Sequence, residues 1–63
     1  MKIEIKKATN REHYFVIIAD NGQIIAVSET YKNKKDCIST ATLIKEKVFL
    51  AEIIDTDSNL LID

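Results

Sequence analysis

The 63-residue chain has no proline and no tryptophan, and a single glycine and a single cysteine. Each scarcity excludes something. Cys37 alone cannot close an internal disulfide, and with His13 as the one histidine it falls short of the ligand set of a structural zinc site. No metal and no cofactor is expected. With Gly22 as the only glycine there is no glycine-rich loop to cradle a phosphate. Nine basic residues against ten acidic ones leave a net charge of −1, so no global field draws in nucleic acid or an anionic membrane. No stretch approaches the roughly 20 apolar residues of a membrane span, and no apolar run follows basic residues at the start. The expectation is a cytoplasmic protein with no membrane partner, which an unpaired cysteine suits.

What is present is a hairpin that is apolar on both sides. Asn21-Gly22 is the strongest short-range hairpin signal, because a two-residue type I′ loop needs positive φ at both positions. With Asp20 opposite Gln23, Ile18 faces Ile25, Ile17 faces Ala26 and Val16 faces Val27. Alternation then places Phe15, Ile17, Ala19, Ile24, Ala26 and Ser28 on one side and Tyr14, Val16, Ile18, Ile25 and Val27 on the other. A domain this short buries only about 60% of the surface its unfolded chain exposes, and it lacks disulfide and metal as staples. Burying Val16, Ile18, Ile25 and Val27 is worth roughly 6 to 12 kcal/mol at about 1.5 to 3 kcal/mol each. That is comparable to the whole stability of a small domain, so the second face calls for a cover, a second subunit against the alternatives that the tail Leu60 to Ile62 of the same chain folds over it or that part of it stays exposed.

The rest of the chain supplies one helix and shorter extended pieces. Met1 to Lys7 alternates as a half-buried strand, with Ile3 and Ile5 opposite Lys2, Glu4 and Lys6. Thr9 to Arg11 form a polar connection to hairpin arms spanning about His13 to Ala19 and Gln23 to Ser28. Asn33 is a good N-cap, Asp36 suits the positive end of the helix dipole, and Cys37, Ala41, Ile44 and Val48 recur on one narrow stripe. The spacing predicts a helix from Lys34 to Lys47 or Val48. Small Cys37 and Ala41 let that helix approach a sheet face carrying Phe15. Leu50 to Asp55 and Asn59 to Ile62 read as extended, separated by a turn cluster at 56–59. The fold class is α+β, a β-β-β-α-β unit with an antiparallel sheet in a single domain.

Tyr14-Phe15, Ala19-Asp20-Asn21-Gly22, Ile24-Ile25, Ser28-Glu29-Thr30-Tyr31 and Lys34 at the helix start together resemble the YegP-like family of small bacterial domains. The likeness covers about residues 13–45. It implies a unit that occurs twice in one chain or once per subunit of a homodimer, with a shared sheet and exchanged C-terminal strands. It implies no chemistry, because that family has no established activity. The chain departs from the pattern in being apolar at Val16 and Ile18, in carrying Thr40-Ala41 where the helix has Gly-Ile, and in a shorter passage from helix to last strand.

Four constellations bear on function. Ser28, Glu29 and Tyr31 could hold an amine or a sugar, but a strand-to-helix corner needs such residues for its own hydrogen bonds. Lys32, Lys34 and Lys35 surround a helix start that could receive a phosphate or nucleic acid, against the reading of a solvated basic patch. Cys37 and His13 lack the proximity that thiolate chemistry requires. Glu52, Asp55, Asp57 and Asp63 lack the rhythm of a calcium loop. No pattern places a nucleophile beside a base, and the expectation is a non-catalytic interaction or assembly module. It acts as a homodimer, with Tyr14, Val16, Ile18, Ile25 and Val27 as the contact surface. Nucleic-acid or anion binding through the three lysines, and small-molecule binding near Glu29 and Tyr31, are the alternatives.

Overall fold

A computed structural model describes residues 1–57 with their side chains and the backbone of residues 60–62. Strands β1 (Lys2–Lys7), β2 (His13–Ile18) and β3 (Ile24–Val27) form an antiparallel sheet in that order, followed by the helix α1 (Lys34–Lys47). The helix bounds are those its stripe and N-cap predict. Asn33 caps through its backbone carbonyl, which accepts from the N–H groups of Asp36 at 3.1 Å and Cys37 at 3.2 Å. Its amide side chain turns to the Asp36 carboxylate at 3.4 Å. A 3₁₀ turn at Val48–Leu50 ends the helix and takes Val48 out of the packing stripe.

Register places the core. Ile3 pairs with Ile17 and Ile5 with Phe15, so these four share the side on which α1 lies. Phe15, Cys37 and Ala41 are buried at its centre, with Ile3, Ile5, Ile17, Tyr31 and Ile44 packed around them. The Tyr31 ring stacks near Phe15 at 6.5 Å between centroids and 18° between planes. The helix therefore sits on the expected face.

The turn at Asn21-Gly22 differs from the expected one. Only Gly22 has positive φ, at +86°, and its N–H donates to the Ala19 carbonyl at 2.9 Å. This is a type I turn closed by a left-handed residue, not a type I′ turn. Ala19 then bonds Gln23 instead of facing Ile24, and Ile18 pairs with Ile24 instead of Ile25. A bulge between Ile17 and Ile18 absorbs the extra residue and restores Ile17 opposite Ala26 and Val16 opposite Val27. The consequence is local. Ile24 joins the Ile18 side, and Ile25 turns to the helix side, where it lines a groove with Ile3, Ile5 and Ile17.

The β1–β2 connection repeats the same device. Ala8 N–H donates to Glu12 C=O at 2.7 Å, Arg11 N–H to Ala8 C=O at 3.0 Å, and Arg11 has φ +69°. Asn10 and Asn21 play matching parts, each accepting from the N–H two residues on, Glu12 at 3.0 Å and Gln23 at 3.1 Å. Arginine lacks the freedom that glycine has at a left-handed position. Arg11→Gly is accordingly expected to raise stability by about 0.5 to 1 kcal/mol, and Gly22→Ala to lower it by about 1 kcal/mol, although a Cβ on Gly22 would meet open space. Urea titrations of both variants check the opposite signs.

After the 3₁₀ turn the chain forms a separate two-stranded sheet, β4 (Ile53–Asp55) and β5 (Leu60–Ile62), with Ile53 opposite Ile62 and Asp55 opposite Leu60. The tail is thus tied down, but only to its own hairpin. Among the described residues, neither strand packs against the main sheet or against α1. The shape records this. The radius of gyration is 13.8 Å, against about 11 Å for a compact chain of this length, and the extents are 40 × 26 × 22 Å. Residues 58, 59 and 63 of the expected turn cluster and acidic end, and any covering of the second face by the Leu60–Ile62 side chains, lie outside what is described.

Candidate functional site

The exposed apolar surface has its centre on β3. In the central strand β2, Phe15 and Val16 point to opposite faces and are both buried, Val16 with 2% of its surface exposed. Val16 therefore offers nothing to a partner. It lies between Glu4 of β1 and Val27 of β3, and Glu4 is bridged by Lys2 at 3.1 Å and Lys6 at 3.6 Å. These lysines hold the Glu4 carboxyl below the usual carboxylate range. So β1 gives the second face a polar border, and the apolar part narrows to Tyr14 and Ile18, half-buried on β2, and Ile24 and Val27 on β3. All four residues of β3, Ile24 to Val27, are exposed. The strand forms one edge of its sheet, carries no charge and no proline, and has β2 as its only partner among the described residues.

The helix side contributes a groove of about 740 Å³. The first half of α1 sits over Phe15 through Cys37 and Ala41, and beyond it the sheet end at Ile3, Ile17 and Ile25 is open beneath Ile38 and Val48. Met1 and Lys45 stand at its rim, and the Met1 amino group pairs with Asp20, which holds that carboxyl low. Ile25 lines this groove and belongs to β3, so groove and edge strand form one continuous apolar surface.

The polar constellations resolve into structure. Ser28 Oγ accepts the Phe15 N–H at 2.9 Å and donates to the Glu29 carbonyl at 2.8 Å, while Ser28 N–H donates to the Phe15 carbonyl at 3.0 Å. The hydroxyl thus takes the place of a ladder carbonyl where β3 ends. At the start of β2, His13 and Tyr31 exchange backbone hydrogen bonds of 2.8 and 2.7 Å, one position beyond the register that pairs Val16 with Val27. His13 is half-buried, and its Nδ1 is buried without a hydrogen-bond partner among the described residues. Glu29, Lys32, Lys34 and Lys35 are all exposed. Cys37 is fully buried, and desolvation pushes its thiol pKa up, which keeps it protonated and unreactive. Among the described residues no cluster of three His, Cys, Asp or Glu could hold a metal, and no helix is long and apolar enough to cross a membrane.

Sequence reasoning missed the arm. Ile53 and Ile54 remain 59% and 56% exposed, and Phe49 and Leu50 before them are more so. The excess of apolar residues after position 47 was a signal in the sequence, but nothing in it said that they would pack on no other element.

Comparison with known proteins places the chain without giving it an activity. A UPF0339 protein of Methanosarcina acetivorans is 40% identical over 53 residues, which cover 84% of this chain and 91% of that protein. No solved structure matches significantly. A family model described as a domain of unknown function, DUF1508, matches residues 8–55, from the β1–β2 connection to the end of β4. The chain belongs to the DUF1508 family.

Proposed function

We infer that the protein is a non-catalytic assembly module that works as a homodimer, with β3 and the apolar surface around it as the contact. One observation carries the reading. β3 is an uncharged apolar edge strand, exposed along its whole length, without lysine or proline and, among the described residues, without the covering elements by which edges are usually protected. An open edge of this kind pairs readily with another strand, which adds backbone hydrogen bonds to apolar burial. The resemblance to YegP-like domains, with one unit per subunit, belongs to this reading, as does a cytoplasmic setting. Use of Ser28 and Tyr31 in the fold weighs against a ligand site at Glu29.

The test uses residues whose exposure lets the fold tolerate change. Ile25→Lys is expected to weaken self-association at least tenfold in sedimentation equilibrium. Leu43→Lys, on the helix face away from the sheet and equally exposed, is expected to leave it unchanged. Equal effects from the two would remove β3 as the contact.

A further inference from the structure

The groove between α1 and the sheet has a narrow chemistry. Its floor is Ile3, Ile17 and Ile25 and its wall on the helix is Ile38 and Ile44, and among the described residues none that line it carries an aromatic ring or a carboxylate. A planar ring finds nothing there to stack on. The one hydroxyl in the lining, that of Thr42, is committed to the Ile38 carbonyl at 2.8 Å. A sugar or a nucleotide in the groove would leave many of its own donors and acceptors unpaired, which opposes binding. The charge of the lining has one sign. Lys2 and Lys45 reach it; Lys2 is held by Glu4 at 3.1 Å, whereas Lys45 pairs with no described carboxylate. An aliphatic slot with one such cation at its rim is complementary to a molecule with one alkyl chain and one anionic end.

We propose that this groove binds a soluble single-chain fatty carboxylate of medium length, with the alkyl chain along Ile3, Ile17, Ile25 and Ile38 and the carboxylate on the Lys45 ammonium. Its volume of about 740 Å³ falls within the roughly 300 to 1,000 Å³ of small-molecule sites, which are likewise apolar with a few polar groups that fix orientation. Among the described residues α1 packs on β1 and β2 but not on β3, so the groove is open along Ile25 and an alkyl chain enters from that side. The site is complete within one chain. It therefore goes beyond the homodimer reading and does not rest on it, although a partner seated along β3 would border the open side at Ile25.

The experiment titrates the full, isotope-labelled chain with hexanoate, octanoate and decanoate, each below its micelle concentration, and follows backbone amide shifts by NMR. Shifts are expected to gather at Ile3, Ile17, Ile25, Ile38 and Lys45. The dissociation constant is expected to fall about threefold or more for each two methylenes added, within the limit of roughly fourfold per methylene that full burial sets. Lys45→Glu is expected to weaken octanoate about fivefold, because a like charge replaces an opposite one at the rim, and to leave octanol within about twofold. Ile38→Glu, which puts a charge in the apolar wall, is expected to weaken both ligands about fivefold or more, and Leu43→Lys on the far face of the helix neither. All three positions are exposed, and circular dichroism establishes that each variant folds. Affinity that ignores chain length, shifts that gather at Tyr14 and Val27 instead of in the groove, or equal losses of octanoate and octanol in Lys45→Glu would each overturn the proposal. None of these results bears on the homodimer, which sedimentation tests separately.

Discussion

Phe15→Ala is expected to remove most of the chain's stability at 25 °C. Removing a buried phenylalanine costs about 3 to 5 kcal/mol, since the transfer energy of the ring is lost and a cavity remains. A chain of this length has roughly 3 to 9 kcal/mol of stability at about 0.05 to 0.15 kcal/mol per residue. The loss is thus most of the total. Phe15 is at the junction of every element that makes the core: Ile5 beside it on β1, Cys37 and Ala41 of α1 against it, and the Tyr31 ring stacked near it. Its N–H is also the one that Ser28 Oγ accepts. Far-ultraviolet circular dichroism and a urea titration measure the effect. A transition within about 1 kcal/mol of wild type would mean that Phe15 is not the centre of the core.

The central role of Phe15 was legible in the sequence because several local signals agreed. The alternation of β1, the run from His13 to Ile18 and the narrow helix stripe all pointed to one face, and Asn33 and Asp36 marked the helix start. The turn was not legible in detail. Gly22 has positive φ in either turn type, so the Asn-Gly pair does not distinguish a type I′ loop from a type I turn closed by a left-handed glycine. The difference moved Ile24 and Ile25 to opposite sides, and a compensating bulge confined it to those residues. The burial of Val16 was missed for another reason. Its cover depends on its place in the central strand, between Glu4 and Val27, and strand order is a non-local property. The separation of the arm is non-local in the same sense, since β4 and β5 read as strands without saying which sheet they join.

The second large effect concerns concentration. If the folded chain dimerises through β3 and the groove, its melting temperature is expected to rise with protein concentration. A partner that binds only the folded state adds about 2.7 kcal/mol at a hundred times its dissociation constant. One kcal/mol moves the midpoint of a domain this small by about 4 to 8 °C, so the shift amounts to roughly 10 to 20 °C between dilute and saturating conditions. Ile25→Lys is expected to flatten that dependence while retaining the low-concentration midpoint, because Ile25 is already more than half exposed in the single chain. Differential scanning calorimetry from 1 to 500 µM reads both. A midpoint independent of concentration in the wild type would separate stability from assembly and leave β3 and the arm exposed in the working protein.

The most direct measurement is the mass of the wild-type particle in solution. The chain is 7.2 kDa. Sedimentation equilibrium at 20 µM in 50 mM NaCl is expected to give about twice that mass, as two chains cover each other's exposed apolar surface. A folded particle of one chain's mass under those conditions, with β3 left open, would contradict the account.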